Sequence, residues 1–390
     1  MQQGSILPFL SKLKARRPDN SRPESSRSDQ SHHSRPYNSE LRGSGQTKQH
    51  RGPNRRRNMA LKLIADETKA ELPNILNQVP DFDAMDSTVH DLKDLAPLVV
   101  QDCPGFTLRD KDVEAGKRGA RIKVFDMDTF DAAINIDPEY TTQKHLASPD
   151  LDMGGSDSKS PDPDQIMKDT AQDRVSSPTP STKPPRHPKP VAVLNLASER
   201  SAGGGWQNGA LAQEEALCYR SSLYLSLHKS YYPLPSLSAI YSPSVLIIRD
   251  AMSRGHNLLT PHQKPTDLQV AAVVSVAALR RPALTDDKKH FKNEDRRTET
   301  KRKIRLTLRV AASNGHTKLV LGALGCGVFG NPPKEVAECF LEVLREKEFQ
   351  GGWWEEVVFA ILDNVKGEQG GKYGIGNFGE FWRVLDGQVI

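Results

Sequence analysis

Hydrophobic positions along this chain change their spacing from segment to segment, and the spacing predicts the elements. From Asn58 onward Leu61, Ile64, Ala65, Leu72, Ile75 and Leu76 recur at helical intervals, with Thr68 on the same face and Pro73 as a kink or boundary. Residues 121–125 alternate as an edge or early strand does, and residues 128–135 open with N-cap chemistry and read as a short helix. Continuous apolar runs at 191–196, 245–248, 270–276, 319–324 and 357–362 predict strands covered on both faces. Between them 210–228, 303–314 and 333–345 have helical spacing. The alternation predicts an α/β fold, a layered sheet with helices on both faces and no internal repeat.

Two stretches lack any such pattern. Residues 1–58 are rich in Ser, Arg, Asn, Gln and Pro with Phe9 and Tyr37 as their aromatics, too little apolar area to offset chain entropy. Residues 141–190 hold nine of the 27 prolines and no Phe, Trp or Tyr. Both are predicted to be disordered, the first as a tail and the second as an insertion within one domain spanning 59–390.

Charge reinforces this division. The net +5 contains a surplus of nine from residues 1–58, where thirteen Lys and Arg face four acids. The other 332 residues are therefore about four units negative, which argues against a nucleic-acid-binding core. Within the tail, Arg55-Arg56-Arg57 suits a nuclear address or an anionic-polymer contact, or is simply a solvated stretch. The longest apolar run, 270–279, is about half of what a bilayer requires, so an intracellular protein, nuclear or cytoplasmic, is expected without membrane association. Cys103, Cys218, Cys326 and Cys339 lack metal or disulfide spacing and read as reduced, mostly buried thiols.

Candidate chemistry concentrates at two strand ends. After the strand ending near Asn195 come Gly203-Gly204-Gly205, whose missing Cβ atoms permit positive φ and close approach to a ligand; seven residues later Gln213-Glu214-Glu215 open a helix. Adjacent carboxylates in a partly closed site disfavour joint ionisation, so one should retain a proton near neutral pH. One carboxyl can protonate a departing oxygen and then activate water for hydrolysis. The second segment, Gly325-Cys326-Gly327-Val328-Phe329-Gly330-Asn331, follows a buried strand and precedes a helix opened by prolines. Such a turn presents backbone N–H groups to a phosphate or diphosphate without a basic side chain. It is equally a tight turn, and the small size of Cys326 suits one.

Taken together these segments resemble the microbial-type poly(ADP-ribose) glycohydrolase family, a branch of the macrodomain fold that carries GGG, six to eight residues, then QEE. Similarity also covers Ile64-Ala65-Asp66-Glu67-Thr68, the strand end at 193–198, Ile248-Arg249-Asp250 and the loop at 322–332. The resemblance implies a three-layer α/β/α macrodomain with a mixed sheet and an N-terminal helical extension. It implies ADP-ribose and poly(ADP-ribose) on modified proteins as ligands, and hydrolysis of ribose–ribose or terminal ADP-ribose linkages. A non-catalytic ADP-ribose-binding module is the alternative.

By the same resemblance Glu215 matches the catalytic acid, and Glu214 the neighbour that holds a ribose hydroxyl. Gly203–Gly205 match the loop closing over ribose and diphosphate. Gly325 to Phe329 match the second diphosphate loop, with Phe329 packing on the proximal ribose. Asn195 suits a ribose or loop contact or a turn. Asp128 has two accounts, an adenine contact and a helix N-cap, because the Gly that usually precedes the adenine-binding Asp is Met127 here. No metal or cofactor is expected, and a monomer is. Gln3, Ile6, Phe9 and Leu10 are similar to the peptide that docks on the replication sliding clamp, with Leu10 replacing the second aromatic. Trp353-Trp354 and the aromatics at 373–382 read as packing.

Overall fold

The computed structural model describes residues 51–148 and 188–390. Its strands are β1 (Thr88–Asp91), β2 (Ile122–Phe125), β3 (Ala192–Ala197), β4 (Ser238–Leu246), β5 (Val270–Ala277), β6 (Lys318–Leu321) and β7 (Glu356–Ala360). They form one seven-stranded mixed sheet in the order β1-β4-β5-β3-β6-β7-β2. Strands β5, β3, β6, β7 and β2 run parallel, while β4 is antiparallel to β5 and β1 to β4. Parallel strands end on a common edge, so the loops leaving β3, β5, β6, β7 and β2 gather there.

The helices are α1 (Arg51–Leu76), α2 (Thr129–Ile136), α3 (Thr142–Leu146), α4 (Gln213–Arg220), α5 (Leu223–Ser226), α6 (Glu294–Ser313), α7 (Pro333–Leu344) and α8 (Asn377–Leu385). Alternation along β3 assigns them to faces. Ala192 and Leu194 join a core with Ile304 and Leu308 of α6, Phe340 of α7 and Phe381 of α8. Val193 belongs to another core with Leu61 and Ile64 of α1, Phe130 of α2, Leu217 of α4 and Leu223 of α5. The expected three-layer α/β/α sandwich is therefore the observed fold, and Trp353 and Trp354 are buried within it.

Several boundaries differ from the sequence reading. Helix α1 starts at Arg51, so the tail placed at 1–58 is helical in its last turns. The last residue of that stretch is in tertiary contact, its carbonyl at Asn58 occupying the space where a Cβ on Gly209 would stand. The insertion placed at 141–190 also gives up residues at both ends. Thr142 Oγ1 donates to the Leu268 carbonyl at 2.9 Å, and His145 Nε2 lies 2.9 Å from Ser244 Oγ, buried polar contacts that composition does not reveal. At the other end His316 Nδ1 lies 2.9 Å from the Pro190 carbonyl. The helix expected over 210–228 breaks at Ser221, whose extended backbone bridges to Ile247. Strand β4 begins seven residues early, at Ser238, and shifts register between Ser242 and Val245, around Pro243, which has no N–H to donate. Residues 1–50 and 149–187, including the clamp-like peptide, lie outside the described residues.

Candidate functional site

Strand β3 and helix α4 are joined by an amide. Gln213 Oε1 accepts from the Leu196 N–H at 2.8 Å, and its Nε2 donates to the Leu194 carbonyl at 2.8 Å. The side chain thus extends the hydrogen bonding of the strand and fixes the first turn of α4 beside the strand end. Its Nε2 also lies 3.4 Å from Thr129 Oγ1, which brings α2 to the same point. Glu214 and Glu215 follow on a helix whose register this amide sets.

The two carboxylates occupy different surroundings. Glu214 is buried, accepts from the Ser198 N–H at 2.8 Å and lies 3.5 Å from Asn195 Nδ2. Burial pushes its carboxyl up to about 8, the charge of Glu215 adds to the rise, and the Ser198 N–H opposes it. Glu215 is half-buried and accepts from the Gly205 N–H at 3.0 Å. The sequence argument that one carboxyl of the pair should hold a proton is met at Glu214, the one enclosed by protein.

Close approach explains the glycines. A Cβ on Gly204, whose φ is +58°, would stand 2.5 Å from Glu215 Oε1 and 3.0 Å from Glu214 Oε2. Gly203 has a φ of +68°, and a Cβ there would meet the Trp206 ring at 2.7 Å and Cys218 Sγ at 2.9 Å. The loop therefore lies directly over both carboxylates. Tyr219 secures its far end, its one hydroxyl lying 2.8 Å from the Trp206 carbonyl and 2.7 Å from the Ala210 carbonyl.

The second loop leaves β6, the neighbour of β3, and so lies alongside the first. Asn331, which the sequence reading left without a role, closes it: the buried side chain donates to the Leu279 carbonyl at 2.7 Å and the Gly325 carbonyl at 3.1 Å. Its N–H returns to the same Gly325 carbonyl at 3.0 Å. Cys326 is buried, Gly327 and Val328 are exposed, and Phe329 is half-buried beneath the Arg280 guanidinium at 4.5 Å. Gly327 has open space where a Cβ would point. All four cysteines are free, and burial pushes the Cys218, Cys326 and Cys339 thiols up.

Asn195 is fully buried at the base of the site, with Nδ2 donating to Ser275 Oγ at 3.0 Å and Oδ1 without a protein partner. Asp128 is the N-cap of α2, accepting from the Phe130 N–H at 2.9 Å, and the same Oδ1 pairs with Arg220. Arg220 also reaches Asp131 at 2.8 Å and the Arg249 carbonyl at 3.1 Å. This buried arginine locks α4 to α2, and no local pattern announces it. Among the described residues no cluster of three or more His, Cys, Asp or Glu is arranged to hold a metal, and no helix is long and apolar enough to cross a membrane.

Residues 82–250 match the family model described as microbial-type PARG, catalytic domain. Among solved structures the chain is similar to poly(ADP-ribose) glycohydrolase (PARG) from Thermomonospora curvata, at 26% identity over 83% of this chain and 99% of that one, with a TM-score of 0.55. The same bacterial protein bound to the inhibitor ADP-HPD matches with the same identity, coverage and TM-score. A search of curated proteins finds no match.

Proposed function

We propose, from the match of residues 82–250 to the microbial-type PARG catalytic-domain model, that this chain is an ADP-ribose glycohydrolase whose reacting carboxyl is Glu215. The observation that carries the assignment is the pair of carboxylates under Gly204, where no side chain fits. Burial keeps Glu214 protonated up to about pH 8, so that carboxyl can donate to a sugar hydroxyl, and the proton for the reaction is a separate one that the solvent-accessible Glu215 carries. Glu215, the more accessible partner, delivers it to the departing ribosyl oxygen as the glycosidic bond breaks. A water then attacks the oxocarbenium-like anomeric carbon, and the Glu215 carboxylate takes up its proton. Glu214 holds a ribose hydroxyl, and Asn195 lies beneath the same sugar.

The substrate is poly(ADP-ribose) or a terminal ADP-ribose linkage on a modified protein. The first loop closes over ribose and diphosphate, residues 325–329 cradle the diphosphate from the other side, and Phe329 packs against the ribose. Asp128 contacts the adenine in addition to capping α2. These groups supply position and proton transfer without a metal. The chain acts as a monomer inside the cell.

The test uses auto-modified polymerase as substrate. Glu215→Gln should lower ADP-ribose release roughly a hundred- to ten-thousand-fold while retaining ADP-ribose binding by calorimetry. Equal release by variant and wild type would remove Glu215 from this role. Retained binding with no turnover by the wild type would instead identify a binding module.

A further inference from the structure

The segment leaving β5, residues 278–281, touches the second loop at four places. Ala278 stands where a Cβ on Gly325 would point, and the Leu279 carbonyl accepts from Asn331. The Arg280 guanidinium covers the Phe329 ring at 4.5 Å, and the Arg281 N–H donates to the Phe329 carbonyl at 2.8 Å. Arg281 holds a φ of +48°, an unusual conformation for a non-glycine residue, at the point where these contacts converge. Arg280 then reaches the first loop: its Nε and Nη2 donate to Glu199 Oε1 and Oε2 at 2.6 and 3.3 Å. Glu199 follows β3 by two residues and also receives Arg200 Nε at 3.1 Å.

We propose that Arg280 is a positioning residue that couples the two glycine-rich loops, its guanidinium holding Phe329 by its face and Glu199 by its edge. An exposed ion pair of this kind contributes little stability. Its effect is geometric, because the planar fork and the flat ring fix two loops relative to one cation, which a lysine cannot do as well. The inference rests on the glycohydrolase reading, in which Phe329 presses the ribose toward Glu215. Loosening the coupling therefore lowers turnover more than affinity.

The experiment compares the full chain with Arg280→Ala, Arg280→Lys and Glu199→Ala, following release of ADP-ribose, ADP-ribose affinity by calorimetry, and hydrogen exchange of the loop amides. Arg280→Ala should lower kcat roughly ten- to hundredfold, as small misplacements of reacting groups do, while affinity changes less than about threefold. Arg280→Lys should recover part of kcat, and Glu199→Ala should release the first loop while Phe329 stays covered. Both loops should exchange faster in Arg280→Ala, with core amides unchanged. Wild-type kcat together with unchanged exchange in Arg280→Ala would overturn the proposal. Loss of affinity at constant kcat would overturn it too, making Arg280 a direct anion contact. A wild type that releases no ADP-ribose removes the glycohydrolase reading alone, and the exchange measurement then decides the coupling.

Discussion

The two glycine-rich loops follow neighbouring parallel strands, yet they are built on opposite principles. In the first, glycine is required by what lies beneath it: both carboxylates crowd the position of a Gly204 Cβ, and Trp206 and Cys218 crowd that of Gly203. In the second, Gly325 alone of the central glycines is packed, against Ala278 and Asn331, whereas Gly327 and Gly330 face open space. One loop is moulded to acidic side chains. The other is anchored at its base by Asn331 and offers its tip to solvent.

The strongest way to break this contrast is Gly204→Ala. A methyl group 2.5 Å from Glu215 Oε1, at a positive φ, must displace either the loop or the acid. A loss of about a hundredfold in kcat/KM is expected. Turnover within twofold of wild type would show that the loop does not constrain the carboxylates.

Next in size is the proton held by the first loop. Glu214 has a folded value of about 8, raised from the ordinary 4.5, so between those pH values the native state holds a proton that the unfolded chain has released. Stability therefore falls as pH rises through that window, by up to a few kcal/mol from this group. His145, His256 and His316, each lowered to about 4 by burial, oppose this trend below the ordinary 6.5. The informative quantity is thus the difference in thermal stability between wild type and Glu214→Gln, which should shift steadily in favour of the variant between about pH 5 and pH 8. A difference independent of pH would remove the trapped proton.

Smaller effects belong to the second loop. Asn331→Ala leaves the Leu279 and Gly325 carbonyls without their side-chain donor and should cost about 1–3 kcal/mol in denaturant unfolding. Gly327→Ala meets nothing within 4 Å and should stay within about 0.5 kcal/mol of wild type. A large loss there would mean that the tip is as tightly built as the first loop.

Legibility in the sequence followed the range of the interactions. Buried parallel strands such as β3 and β5 stand out because their residues, Asn195 and Ser275 apart, are apolar and packed on both faces, and the glycine runs mark where chain meets chain. Helix α6 was read from 303 although it begins at Glu294, because its first turns are nearly all polar. They are held to α7 instead by pairs such as Lys301–Glu342, continued past the end of α7 by Arg305–Glu346. Strand β1 was missed for a related reason: its four residues are half or fully exposed. Within the site, Gln213 was legible as a residue type but its bonding to β3 was not. Arg220 and Arg280 lay outside local pattern altogether, since their partners are tens of residues away, and Asn331 joins a local contact to Gly325 with a distant one to Leu279.

The short helix α3 has a consequence for how this protein tolerates change. Thr141 bridges to Gln269 just before β5, and Pro190 precedes β3, so both of these described segments lie near the starts of the parallel strands. Glu214 and Glu215 lie where those strands finish. A change made at Thr141 or Pro190 is therefore made at the back of the sheet, away from the end where Gly203 and Gly204 are packed too closely to accept a side chain.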